Sequence, residues 1–230
     1  MRILVHDYAG HPFQVQLSRE LASRGHTVLH AFASQLQTPR GLLSPTENDS
    51  PTLSMAAVPM DPSYTAKKYS FVRRRQLEVK YGVEAGRLVE NWQPDVVLSG
   101  NTPTESQSSI IRSSRRANAK FVYWVQDFYS LAVDRLARKK IPLLGSAVGN
   151  WYKRLDKAHF AQSDAVIAIT EDFFPILTER FGVDSGKIHS IPNWGPLQDI
   201  DVVSKQNDWS TANGLDSKFC FMYTGTLGMK

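Results

Sequence analysis

The sequence predicts an α/β fold: a Rossmann-like, doubly wound parallel sheet, followed by the first strand of a second domain of the same kind. Three observations predict it. Short apolar runs alternate with segments of helical period along most of the chain, the order of repeated βαβ units. Several of those runs, residues 121–125 (FVYWV) above all, carry no charge and are rich in aromatic and β-branched residues, the composition of a strand buried on both faces. After a charge-mixed stretch, residues 219–223 are apolar again and a glycine-bearing turn follows.

Residues 2–6 read as the first strand. Pro12 suits the first turn of a helix, where a missing N–H costs nothing, and Phe13, Leu17 and Leu21 follow at helical spacing. Gly25 stands where a helix ends, and residues 27–33 form the second strand. Residues 34–50 read as a mobile loop and 52–58 as a strand. Residues 65–92 contain few breakers and predict one long helix, weakened by Gly82 and Gly86. A strand at 95–99 follows. Thr102 and Glu105 have the spacing of a capping box, with a helix running to about Ala117. After the 121–125 strand, helices are predicted at 130–138 and 147–161, and a strand at 165–169. A helix opens at Thr170 and ends at Phe181-Gly182, and the last strand covers 187–191. The boundaries predicted are 1–192 for the first domain, 193–218 for a linker and 219–230 for the opening of the second.

A formal charge of +5 and a pI near 9.3 point to an anionic partner. Cys220 is the single cysteine, so no disulfide closes within the chain. No segment reaches the roughly 18 apolar residues of a membrane span, and no signal peptide is evident. The expected location is the cytoplasm, with a membrane surface still open. No two of the six histidines share a predicted helix at a metal-ligand spacing, and there is no G-x-S-x-G, Walker or G-x-G-x-x-G motif. No metal, cofactor or dinucleotide site is expected.

The apolar strand at 121–125 stops abruptly at Gln126-Asp127. Polar residues at the carboxyl end of a buried parallel strand lie where open α/β sheets hold ligands. Asp is equally a favoured helix N-cap, and that reading stands beside the functional one. Two basic stretches contain aromatic or apolar neighbours. One holds Arg73, Arg74 and Arg75 among Tyr64, Tyr69, Phe71 and Tyr81; the other holds Arg138, Lys139 and Lys140 before Ile141-Pro142-Leu143-Leu144 and Trp151. Such pairings fit adsorption to anionic lipid, with a solvated helix face or nucleic acid as alternatives.

Trp124-Val125-Gln126-Asp127-Phe128, Ile191-Pro192-Asn193-Trp194 and Tyr223-Thr224-Gly225-Thr226-Leu227-Gly228-Met229-Lys230 occur in this order behind an opening βαβ unit with Arg24-Gly25-His26-Thr27-Val28. Together they resemble the family 4 retaining glycosyltransferases, and most of all bacterial enzymes of capsule, colanic-acid and O-antigen assembly. The likeness spans about the first half of a usual member. It implies the GT-B arrangement of two Rossmann-like domains, with this chain as the acceptor side and inactive alone. It implies a nucleotide-sugar donor, a lipid-linked glycan acceptor and a place at the inner face of the cytoplasmic membrane; nucleic acid is not expected. By resemblance Asp127 lies near the transferred sugar, and Gly10 and His11 lie in the first loop at the cleft. Gln126, Asn101 and Asn193 are further candidates for substrate contact. Gly225, Thr226, Gly228 and Lys230 match the loop and cation that meet the donor diphosphate, whose negative charge they would stabilise without a metal. The first loop carries one glycine where many members have two. A non-catalytic membrane-surface module and a GT-B nucleotide-sugar epimerase remain as alternatives.

Overall fold

The computed structural model describes residues 1–35, 40–67, 70–100, 102–140, 144–197 and 200–223. Two compact units form, Met1–Trp194 and Gly195–Lys230. The first is built on a seven-stranded, all-parallel sheet: β1 (Arg2–Asp7), β2 (Thr27–Ala33), β3 (Leu53–Val58), β4 (Val96–Ser99), β5 (Lys120–Val125), β6 (Ala165–Ala168) and β7 (Ile188–Ser190). The strand order is β3-β2-β1-β4-β5-β6-β7. The chain winds outward from β1 to β3, returns to the other side of β1, and winds outward again. This is the doubly wound topology the alternating pattern predicts.

Seven helices accompany the strands among the described residues: α1 (Pro12–Ser23), α2 (Tyr64–Lys67), α3 (Phe71–Trp92), α4 (Thr104–Arg116), α5 (Tyr129–Lys140), α6 (Gly145–Gln162) and α7 (Asp208–Ala212). Helix α1 opens with Pro12 and closes at Gly25, whose φ of +84° only glycine adopts cheaply. Its Phe13, Leu17 and Leu21 pack on one core with Ile3, Val5, Val28, Leu98 and Trp124. The other core is larger. It holds Leu4, Leu29, Val97, Phe121, Tyr123 and Val166 of the sheet against Leu77, Tyr81, Val89, Ile110, Ile111 and Phe160 of α3, α4 and α6.

Gly82 and Gly86 do not weaken α3. They are where α4 comes closest. A Cβ on Gly82 would stand 2.6 Å from the Ser106 Cα, and one on Gly86 2.6 Å from the Ser113 hydroxyl. The seam is closed by Ser106 Oγ donating to the Glu78 carbonyl at 2.6 Å and Ser113 Oγ donating to Glu90 at 2.7 Å.

Helix α3 is also longer than the sheet it covers. Its 22 residues span about 33 Å, against about 20 Å for a six-residue strand. The Arg2 guanidinium donates to the Trp92 carbonyl, fixing the C-terminal end of α3 beside the amino end of β1. The surplus, about 13 Å, therefore projects past the carboxyl ends of the strands.

Four expectations are corrected. Thr102 is not an N-cap: α4 begins after Pro103 with no side-chain cap, because the Thr102 hydroxyl donates to the Gly100 carbonyl at 2.6 Å. The segment after Thr170 is helical from Glu171 to Arg180, with Thr170 as its N-cap and Phe181 as its C-cap as expected, but it is not a regular α-helix: it opens as a 3-10 turn (Glu171–Phe173) and closes as a π-helical turn (Ile176–Arg180). The described part of the 34–50 loop is tied down: Arg19 pairs with Asp49 at 2.8 Å and donates to the Leu42 and Ser44 carbonyls, and the Gly41 amide donates to the Gly10 carbonyl at 3.0 Å. Residues 219–223 form no strand and are exposed, since no neighbouring strand among the described residues offers them a ladder. In that second unit α7 is held by a capping box between Asn207 and Ser210.

Candidate functional site

Winding reverses between β1 and β4, so their carboxyl ends are where a sheet of this topology places its ligand crevice. Below its floor lies a buried polar chain. His6 Nε2 lies 2.7 Å from the Tyr81 hydroxyl and His6 Nδ1 lies 2.9 Å from Ser99 Oγ, which donates to Gln107 Oε1 at 2.8 Å. Ser99 has one proton and gives it to Gln107, so the network assigns the Nδ1–H tautomer to His6, with Tyr81 donating to Nε2. Burial pushes the imidazole down to about 3, keeping it neutral.

Asp7, the last residue of β1, is 1% exposed. Its carboxylate accepts the Ala9 amide at 3.1 Å, and the Gln14 side-chain amide lies against it, placed to donate at 2.6 and 3.2 Å when its nitrogen is turned toward Asp7. The amides of Gly10 and His11 also face it, and Arg40 lies close enough to favour its charge. The 8–11 loop thus folds around a carboxylate of its own chain, in the way other glycine turns fold around a bound anion. Gly10 takes a φ of +80° to permit this. Gly100, at the end of β4, gives Gln14 its place: a Cβ there would stand 2.1 Å from the Gln14 amide. Desolvation nonetheless dominates, and Asp7 is pushed up to about 7.

A pH dependence follows. Between pH 4 and 7 the folded chain keeps a proton on Asp7 that the unfolded chain has released. The stability this group contributes is full below about pH 4 and lost as pH rises to about 7. Asp7→Asn cannot lose a proton. Across that window it should therefore gain on the wild type by up to about 1.4 kcal/mol for each step of one in pH. Urea denaturation of both proteins at four pH values from 4 to 8 measures this; a constant difference would mean Asp7 is ionised throughout.

His11 precedes α1 and stacks on Phe13 at 5.4 Å, and partial burial lowers its pKa. Phe13 meets Trp124 and Trp194 edge-on at 5.5 and 5.8 Å. Trp194 stacks on Trp124 and donates from Nε1 to Gln16 Oε1 at 2.8 Å. The structure therefore brings the 192–194 turn to the same side of the crevice as the first loop. Asn193 itself is exposed.

Gln126 and Asp127 follow β5, one strand beyond β4, and both are half-buried. Gln126 Nε2 is sequestered without a hydrogen-bond partner among the described residues. Asp127 Oδ1 accepts the Phe128 amide at 2.9 Å. An N-cap side chain takes the second or third amide of its helix. In α5 the second amide, that of Ser130, goes to Asp156 Oδ2 at 3.3 Å instead. Asn101, Gly225, Thr226, Gly228 and Lys230 lie outside the described residues.

The basic stretches divide. Arg74 pairs at 2.7 Å with Glu78, which is 2% exposed and also accepts from Tyr64 at 2.8 Å. Arg75 pairs with Glu105 at 2.5 Å, and Tyr152 donates to the same carboxylate at 2.8 Å. Arg138 pairs with Asp134 at 2.9 Å. Arg75 and Arg138 remain exposed beside their partners, while Arg74 is half-buried against a carboxylate of its own helix. Arg73, Lys139 and Lys140 are exposed, as are the apolar Phe71, Val72, Leu136, Leu144 and Trp151. Lys68, Tyr69, Ile141, Pro142 and Leu143 lie outside the described residues. Among the described residues no helix is long and apolar enough to cross a membrane.

A doubly wound parallel sheet with buried polar side chains at its switch point is an α/β domain of Rossmann-like type. The sequence profile of Glycosyltransferase Family 4 matches residues 13–197, and the chain belongs to that family. No curated protein sequence matches it. Similar solved structures include Anabaena HepE in complex with UDP and glucose, 13% identical over 95% of this chain and 52% of that one, with a TM-score of 0.54. Sucrose-phosphate synthase from Thermosynechococcus elongatus is 12% identical over 85% of this chain and 91% of that one, at 0.53. Glycyrrhiza uralensis UGT73P12, complexed with glycyrrhetinic acid 3-O-monoglucuronide, is 9% identical over 86% of this chain and 49% of that one, at 0.53. At these identities the likeness is one of fold. The chain spans about half the length of the first and the last of these.

Proposed function

We propose that this chain is the acceptor-side, N-terminal part of a GT-B retaining glycosyltransferase of family 4. It would move a sugar from a nucleotide-sugar to a lipid-linked glycan at the inner face of the cytoplasmic membrane, in bacterial surface polysaccharide synthesis. Family membership supports sugar transfer, and the UDP and glucose held by HepE support the donor class. The observation that carries the acceptor assignment is positional. In parallel α/β units helices run against the strands, so the N-terminal ends of α3 and α6 lie at the crevice end of the sheet. That end bears exposed Phe71, Val72 and Arg73 at the tip of α3, Leu144 and Trp151 at the start of α6, and Lys139 and Lys140 just before it. An apolar and cationic rim around a crevice suits an acceptor whose lipid stays in the bilayer while its sugar enters the protein.

In this reading Asp127 faces the reacting sugar and favours positive charge at its anomeric carbon. Gln126 Nε2 donates to a sugar hydroxyl, Gly10, His11 and Asn193 line the approach, and Asn101 is a further candidate for substrate contact. Gly225, Thr226, Gly228 and Lys230 would take the leaving diphosphate, so that no metal is required.

The full-length protein should transfer label from one of a panel of nucleotide-sugars to a polyprenyl-diphosphate-linked sugar in anionic vesicles. It should bind those vesicles more tightly than neutral ones and leave them in high salt. Changing Arg73, Lys139 and Lys140 to Glu should weaken binding by on the order of 1 kcal/mol per residue. Salt-sensitive binding with no transfer from any donor would favour a non-catalytic membrane module. Transfer that needs no vesicle and ignores the triple change would remove the membrane from the proposal.

A further inference from the structure

Asp156 belongs to neither the crevice nor the rim. It lies in the middle of α6, 3% exposed. Its two carboxylate oxygens reach two different helices. Oδ2 accepts the Ser130 amide, in the first turn of α5, at 3.3 Å, and Thr104 Oγ1, at the start of α4, donates to Oδ1 at 3.5 Å. The starts of α4 and α5 directly follow the carboxyl ends of β4 and β5, so both border the crevice. Each carries the partial positive charge of a helix N-terminus, which one buried carboxylate between them offsets. His159, one turn further along α6, binds Ser108 of α4 at 2.6 Å and keeps α6 in register with α4. Asp156 thus does for α5 what an N-cap side chain would otherwise have to do.

We propose that Asp156 is a positioning residue for the proposed transfer: it clasps the first turns of α4 and α5 and thereby sets the place of the 126–128 segment that carries Asp127. The capping of α5 falls to Asp156, and Asp127 is placed by a group that touches no substrate. The proposal rests on the glycosyltransferase reading for its kinetic consequence, but the clasp itself does not.

The test uses Asp156→Asn in the full-length protein. Asn is an isostere of Asp that keeps an oxygen able to accept, and burial already disfavours the charge here, pushing Asp156 up to about 6, so the variant is expected to fold. Amide exchange at residues 128–130 should quicken on the order of tenfold, the loss of a charge-assisted hydrogen bond, with core amides in β1 and β4 unchanged. In transfer assays kcat should fall about 10- to 100-fold, as misplacing a reacting group by a fraction of an ångström does, with the donor KM unchanged. Combined with Asp127→Asn, the effects should be far from additive, because one residue acts through the other. Thr104→Val removes one arm of the clasp and should give a smaller change of the same kind; it serves if the first variant fails to fold. Unchanged exchange at 128–130 overturns the clasp, whatever the activity. Quickened exchange with an additive double variant confines Asp156 to folding and overturns the positioning role. Absence of transfer by the wild type sinks the function proposed above, while the exchange comparison still decides the clasp.

Discussion

Asp127→Asn in the full-length protein is expected to lower kcat on the order of 100-fold while shifting the Tm by less than about 2 °C. The two halves of this expectation have separate grounds. The Asn side chain keeps an oxygen at the Oδ1 position that can still accept the Phe128 amide now held at 2.9 Å. The Ser130 amide does not depend on Asp127 at all, since Asp156 holds it. Neither of these two bonds is lost. What the substitution removes is a negative charge at the carboxyl end of β5, beside a crevice where positive charge would develop on the transferred sugar. Preorganised charge in such a site is worth several kcal/mol, far more than at an exposed surface. A normal kcat accompanied by a clear loss of Tm would return Asp127 to the role of a structural residue.

The largest loss of stability is expected from Trp124→Ala. Trp124 is 1% exposed and is the bulkiest fully buried side chain among the described residues. It fills the space between α1 and the sheet, edge-on to Phe13 and stacked on Trp194. Removing a buried aromatic of this kind costs about 3–5 kcal/mol. For a chain of this size that corresponds to a Tm lower by roughly 10 °C. The effect should also reach beyond the core, because Trp194 would keep its bond to Gln16 but lose its stacking partner. Faster exchange of the Trp194 indole N–H is the local readout. A cost below about 1 kcal/mol would show that the neighbouring rings collapse into the space.

Much of the fold is legible in the sequence because its determinants are local. Residues 121–125 announce a doubly buried strand without reference to any neighbour. Pro12 and Gly25 bracket α1 by backbone chemistry alone. What misleads is long-range. Thr102 has the residue type and spacing of a cap, but its hydroxyl donates to the Gly100 carbonyl two residues back and lies 3.3 Å from His6 Nδ1, on a strand 96 residues away. Arg75 reads as a free cation because its partner, Glu105, is 30 residues on. Arg74 is different: Glu78 lies four residues later, at the ordinary spacing of a helical ion pair, so the signal is a local one. Asp7 is likewise within reach of the sequence, an acidic residue ending an apolar strand as Asp127 does. Asp156 is not, since nothing in the middle of an amphipathic helix shows that a carboxylate there faces two helix ends.

Under the proposed function, the projecting end of α3 would act as a ruler. It is tied to α4 through the Arg75–Glu105 pair, while Arg74 pairs with Glu78 of α3 itself, and the close approach at Gly82 and Gly86 fixes its seam with α4. On the reading proposed above, a bilayer touched by Phe71 and Val72 is kept roughly 13 Å from the strand ends where chemistry would occur. The protein would then select acceptors by length as well as by shape. A hydroxyl borne too near the lipid would never reach the crevice, and one at the end of a long, flexible glycan would arrive with its entropy unspent.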